Sequence, residues 1–128
     1  MNVFVTGGAG YIGSICTEEL LNAGHQVTVY DNLTEGHRSA VDGRVRFIFG
    51  RPEEKDDILQ AVQGARPDAI MHFAANAQVG ESMTNPKKYF HNNVVNGLKL
   101  LDAAVSAASR SSCSVPPAPP TVRPTACR

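Results

Sequence analysis

The sequence predicts an α/β fold built on a doubly wound parallel sheet. Short β-branched runs alternate with segments of helical period along the chain, and the first run breaks into glycines at the mouth of the first helix. The later run "DAIMHFAA" is apolar throughout, as a parallel strand covered on both faces is.

Taken in order, "NVFVT" reads as a buried strand ending at glycines. From Tyr11 to Ala23 the period turns helical, with Ile12, Cys16 and Leu20 as the apolar stripe and Gly24 as the stop. "HQVTVYDN" is a second strand closing on Asp31, "LTEGHRSAVDG" a polar loop and "RVRFIFG" a third strand. "PEEKDDILQAVQGA" reads as a helix with proline in its first turn and acids near its positive end. "DAIMHFAA" is the fourth strand. From Pro86 a longer helix follows, in which Phe90, Val94, Leu98, Leu101 and Val105 form a stripe expected to pack on the sheet.

With 128 residues the chain is one domain's worth. Twelve basic residues balance twelve acidic ones, so neither nucleic acid nor an anionic membrane is indicated as a partner. The start "MNVFVTGGAG" has no basic lead, and its apolar run is too short for a signal peptide or a membrane span, which makes cytoplasmic the expected location. Cys16, Cys113 and Cys127 form no CxxC pair, and the four histidines have no ligand spacing, so no metal site is expected. Cys16 reads as a small buried thiol.

The chemistry centres on "VTGGAGYIG". Gly7, Gly10 and Gly13 follow a strand and open a helix. A turn of that kind lets backbone amides approach a pyrophosphate with no Cβ in the way, and the helix dipole favours the anion. Asp31 ends the next strand, where a carboxylate accepts hydrogen bonds from an adenosine ribose and repels a 2′-phosphate. The combination predicts a Rossmann-type dinucleotide site that takes NAD in preference to NADP.

The GxxGxxG spacing with Thr6 before it resembles the extended short-chain dehydrogenase/reductase superfamily. "VTGGAGYIGS", "YDNLTEGHRSAV", "HFAANAQVGESMTNPKKYFHNNVVNG" and "LKLLDAA" together resemble the N-terminal part of the UDP-glucose 4-epimerase (UDP-galactose 4-epimerase) family. The resemblance implies that Tyr11 and Ile12 meet the pyrophosphate by their amides. Asp31 would hold the ribose, with Asn32 and the loop to Glu35 beside it. Phe73, Ala74 and Ala75 would close the fourth strand against the cofactor, with Asn92 near that loop. Val79, Gly80, Glu81 and Ser82 would begin the sugar-nucleotide pocket. The family's helical dimer interface uses the segment 86–105, so a homodimer is implied as well. Each role has a plainer counterpart in sheet core, a helix cap or a solvated face. Three positions depart from the family: Gly50-Arg51-Pro52 stands where Gly-Asp is usual, Ile15 replaces a histidine, and Ala77 sits where many members have lysine.

In the family, NAD takes a hydride from C4 of UDP-glucose or UDP-galactose and returns it to the other face of a 4-keto sugar. The base is the tyrosine of a Tyr-x-x-x-Lys pair, its pKa lowered by the lysine charge. Here Tyr11, Tyr30 and Tyr89 are followed four residues on by Ile15, Thr34 and Asn93, so no catalytic residue is assigned. Residues 106–128 lose the apolar period and turn proline- and serine-rich. Codons chosen for them and read two bases out of step permit "RGVEVVLFGSTCATYGAADRLP", which resembles the family's fifth strand. The expectation is an incomplete NAD-binding domain at 1–105, its sheet truncated after about four strands, and an irregular tail, out of frame or disordered, at 106–128. With four strands the outer edge of the fourth would stay open, so the chain is expected to be marginal. The functional expectation is an inactive fragment of a UDP-glucose 4-epimerase. The alternatives are another NAD-dependent nucleotide-sugar epimerase or dehydratase, and a non-catalytic NAD-binding module.

Overall fold

A computed structural model of the chain describes residues 1–54, 56–107 and 111–114. Five parallel strands form one sheet in the order β3-β2-β1-β4-β5: β1 (Asn2–Thr6), β2 (Gln26–Asp31), β3 (Arg46–Phe49), β4 (Ala69–His72) and β5 (Ser111–Ser114). The chain winds from β1 to β2 and β3 on one side, then crosses β1 to lay β4 and β5 on the other. Register follows the apolar runs: Val3 pairs with Val27 and Ala69, and Val5 with Val29 and Met71.

The side-chain period of two divides the core between the faces. Phe4, Tyr30 and Ile70 point to one face, under α2 (Asp57–Ala65) and α5 (Gly97–Ser106), where Ile58, Val62, Leu100, Ala103 and Ala104 complete the cluster. Val3, Val5, Val27 and Val29 point to the other, against which Leu20 and Leu21 of α1 (Tyr11–Asn22) pack. Helices on both faces make this the doubly wound, Rossmann-type sheet that the sequence predicts.

Several elements differ from expectation. The sheet has a fifth strand: Ser111–Ser114 pairs with Ala69–His72 and covers the edge that a four-stranded sheet leaves open. Pairing is a backbone property, and Ser-Ser-Cys-Ser has no apolar alternation to announce it. The remainder of the proline- and serine-rich stretch, residues 108–110 and 115–128, lies outside the described residues.

On α1 the inward residues are Gly13 and Thr17, one position round from the expected stripe, leaving Ile12 exposed and Cys16 half-buried. The cause is Gly13, where a Cβ would run into the Gly7 carbonyl oxygen, so the glycine must face in. The second helix starts at Asp57 rather than near Pro52. Asp56, at φ +73°, breaks any helical run into it, and Glu54 N–H instead closes a turn on the Arg51 carbonyl at 3.0 Å. β4 ends at His72. Phe73 N–H makes one more bond, to Thr6 O at 2.8 Å, and residues 74–76 leave the sheet.

The long C-terminal helix is α4 (Pro86–Phe90), a wider π-helical segment (His91–Asn96) and α5 in succession. Its expected core stripe faces outward, with Phe90 69% and Val105 81% exposed and Val94, Leu98 and Leu101 also on the surface. The buried face is Tyr89, Asn96, Leu100, Ala103 and Ala104. Small alanines let α5 lie close on Ala61 and Ala65 of α2, and periodicity alone does not say which of two apolar faces turns inward.

Candidate functional site

The order β3-β2-β1-β4-β5 creates a switch point beyond the C-terminal ends of β1 and β4, where connections leave in opposite directions. A cleft of about 470 Å³ opens there. Gly7, Gly10, Asp31, Asn32, Phe73, Ala74, Ala75 and Asn92 all line it. Tyr11, Ile12 and Gly13 occupy the adjoining first turn of α1.

The glycine loop is built from backbone contacts. Gly7 N–H extends the β1–β2 ladder to Tyr30 O at 2.9 Å, and Gly10 N–H turns back to Gly7 O at 3.2 Å. Gly7 sits at φ +74°, and a Cβ there would stand 2.6 Å from the Ala74 nitrogen, so the loop after β4 seats directly on it. Gly10 differs, since its Cβ would meet only the Gly7 carbonyl oxygen, at 3.4 Å. Packing does not require glycine at position 10, and Gly10 lines the cleft.

The first ladder bond of α1 runs from Ser14 N–H to Gly10 O at 2.9 Å, so the amides of Tyr11, Ile12 and Gly13 precede it. No side chain caps this end and no acid stands in the first turn. Uncapped amides at the positive end of a twelve-residue helix suit a phosphate.

Asp31 closes the opposite side. It is buried at 8% exposure, with Oδ2 accepting the Ala9 amide at 2.9 Å and Oδ1 the Leu33 amide at 2.8 Å. A carboxylate has about four acceptor positions, so lone pairs remain for a ribose hydroxyl. Open Cα, uncapped helix and buried carboxylate in one cleft fit a dinucleotide.

The floor after β4 is held by asparagines. Asn92 Nδ2 donates to Ala74 O at 2.9 Å. Asn93 grips Asn76 twice, donating Nδ2 to its carbonyl at 2.9 Å and accepting its amide at 2.8 Å. Sequence reasoning names Asn92 and misses Asn93, although "NN" in a helix facing a polar loop is the visible signal. Asn76, Glu35, Pro52, Glu53, Lys88 and His91 also line the cleft. Arg51, the departure from the family pattern, does not; it lies over the Phe49 ring, 6.0 Å from its centroid.

The expected sugar-nucleotide residues form α3 (Val79–Thr84), outside the cleft lining. Glu81 there accepts Lys88 Nζ and Tyr89 OH, both at 2.7 Å, which ties α3 to α4. The Lys88 and Tyr89 hydrogen bonds hold the Glu81 carboxyl below its usual range.

Residues 3–126 match the NAD dependent epimerase/dehydratase family. The chain is 44% identical over 103 residues to a UDP-glucose 4-epimerase of Corynebacterium glutamicum, covering 80% of this chain and 31% of that one. A UDP-glucose 4-epimerase of Lacticaseibacillus casei is 48% identical over 103 residues, with the same coverage. Among solved structures, UDP-glucose 4-epimerase from Brucella ovis in complex with NAD superposes with a TM-score of 0.84 at 40% identity, over 88% of this chain and 34% of that one. The chain therefore spans about a third of the length of the relatives it matches.

Proposed function

The chain belongs to the NAD dependent epimerase/dehydratase family, and from that premise we propose that it is the NAD-holding part of a UDP-glucose 4-epimerase. The reaction is the interconversion of UDP-glucose and UDP-galactose, a step of galactose metabolism. The observation that supports this best is the single cleft that gathers the glycine loop, Asp31, Asn32, residues 73–75 and Asn92 at the switch point.

In this reading the amides of Tyr11, Ile12 and Gly13 take the pyrophosphate, and Gly7 and Gly10 admit it. Asp31 and Asn32 take the adenosine ribose. Phe73, Ala74 and Ala75 form the wall, kept in place by Asn92. Bound NAD supplies a hydride acceptor that returns what it takes. The buried Asp31 carboxylate disfavours a 2′-phosphate, so NAD binds in preference to NADP.

Two of the chain's three tyrosines, Tyr30 and Tyr89, are set as donors, not bases. Tyr30 OH donates to Asp57 at 2.9 Å and Tyr89 OH to Glu81 at 2.7 Å. Burial first, and the carboxylate hydrogen bond next, push both phenols above their ordinary value. Tyr11 is 84% exposed. The chain alone is therefore expected to bind NAD without epimerising a sugar. Incubating it with UDP-galactose and NAD should yield no UDP-glucose; turnover by the purified chain would overturn this part of the reading.

Two further parts belong to the proposal. Self-association through Phe90, Val94, Leu98 and Leu101 is supported by the exposure of that apolar face. Cytoplasmic operation on a soluble nucleotide sugar is the other part; among the described residues no helix is long and apolar enough to cross a membrane.

A further inference from the structure

Contacts with α3 hold α4 in place beside the cleft. Tyr89 is buried at 9% exposure, and its OH and Lys88 Nζ both donate to Glu81, at 2.7 Å. With Lys88 and Tyr89 tied to α3, Lys87 and His91 stand one helical turn apart, and both line the cleft. Neither side chain makes a hydrogen bond or ion pair with another described residue. The same lining holds three acids, Asp31, Glu35 and Glu53, and two lysines, Lys87 and Lys88. The charge of Lys88 is already committed to Glu81. Residues 7–13 of the glycine loop, Gly-Gly-Ala-Gly-Tyr-Ile-Gly, carry no side-chain charge. Lys87 is thus the uncommitted lysine of a lining that is otherwise rich in acids.

We propose that Lys87, with His91 one turn on, supplies the cation of a pyrophosphate subsite in this cleft, adding charge where the uncapped amides of α1 offer only hydrogen bonds. The assignment rests on the reading of the cleft as a nucleotide site. A pyrophosphate diester carries two negative charges, and Asp31, Glu35 and Glu53 repel it within the same space. The positive end of α1 offsets that repulsion only within its first turn. An ammonium group on a flexible stem meets phosphate as a point charge without a fixed approach, which suits an exposed position at the rim. The imidazole beside it presents an N–H donor in either tautomer. A dinucleotide and a nucleotide sugar both carry this group, and the test separates them.

The test is calorimetric titration of the 128-residue chain with NAD and, separately, with UDP-galactose, at low and at high salt. Lys87→Gln should weaken binding about fivefold at low salt, and the loss should shrink to within about twofold at high salt. Lys87→Arg should bind as wild type does, because the site uses the charge. Arg44→Gln, whose cation pairs with Asp42 at 2.8 Å outside the cleft lining, should leave affinity unchanged. A salt-dependent loss with NAD assigns Lys87 to the pyrophosphate of the cofactor; a loss confined to UDP-galactose assigns it to that of the sugar nucleotide. Equal affinity of Lys87→Gln and wild type, or a loss that Lys87→Arg does not restore, overturns the subsite alone and leaves the NAD site standing. Binding of neither ligand by wild type overturns the nucleotide reading and this subsite with it.

Discussion

Asp31 Oδ2 accepts the amide of Ala9 at 2.9 Å, so the acid that ends β2 is bonded directly to the glycine loop that follows β1. One side chain thus ties the end of β2 to the glycine loop and lines the cleft that the proposed dinucleotide would fill.

Replacing Asp31 with Asn tests both roles together. An amide retains one acceptor oxygen, so its NH₂ must face either the Ala9 or the Leu33 amide. The loss is expected to be about 1.5–3 kcal/mol, the usual worth of a hydrogen bond to a charged group. Thermal melting should show a lower midpoint. NAD affinity should fall by more than that of NADP, because the repulsion of a 2′-phosphate goes with the charge.

The two neighbouring asparagines should behave differently. Asn93→Ala leaves both the amide and the carbonyl of Asn76 without their side-chain partner, and is expected to cost about 1–3 kcal/mol. Asn92→Ala removes a single donor to Ala74 O and should cost less. Urea denaturation of the two variants ranks them; an equal or inverted order would show that Asn93 is not the main anchor of the loop.

Stability should depend on pH through His72. Its Nδ1 lies 2.6 Å from Thr6 Oγ1, and burial holds its pKa below the ordinary 6.5. The fold therefore favours the neutral ring, and the unfolded chain takes up the proton first as pH falls. Stability from this site is full above about 6.5 and is lost as pH drops through that value toward the folded pKa. Urea midpoints measured at several pH values between 8 and 5 should decline on the acid side. The decline should flatten in His72→Asn.

Glycines provide a contrast between fold and surface. Gly7→Ala forces a Cβ against the Ala74 backbone at φ +74° and should destabilise by about 1–3 kcal/mol. Gly64→Ala, where nothing lies within 4 Å, should stabilise α2 by about 0.5–1 kcal/mol. Thermal midpoints moving in opposite directions would bear this out.

The order of strands and helices was legible because buried parallel strands read as apolar runs and the glycine loop has few conformational solutions. That Gly7, Gly10 and Asp31 meet at one cleft was legible for the same reason: a tight turn after one strand and a carboxylate at the end of the next are matters of backbone geometry. The orientation of helices was not. The helix after Pro86 has two apolar faces, and the alanines that let α5 approach α2 weigh less in any hydrophobic pattern than the leucines left outside. β5 was hidden because Ser-Ser-Cys-Ser has no apolar alternation, while the pairing of Ser111–Ser114 with Ala69–His72 is a backbone property. The start of α2 was hidden because Asp57, through contacts with Arg51 and Tyr30, turns an acidic run that looks helical into a turn.

The most direct test is a titration of the chain with NAD⁺, run in parallel on Gly10→Ala. A Cβ at position 10 meets only the Gly7 carbonyl oxygen, at an ordinary 3.4 Å, so the fold should be unaffected while the space for the pyrophosphate is lost. The account predicts saturable one-to-one binding by the wild-type chain, and at least about a tenfold loss in Gly10→Ala with an unchanged thermal midpoint. No binding to wild type at millimolar NAD⁺, or binding that Gly10→Ala leaves undiminished, would contradict it.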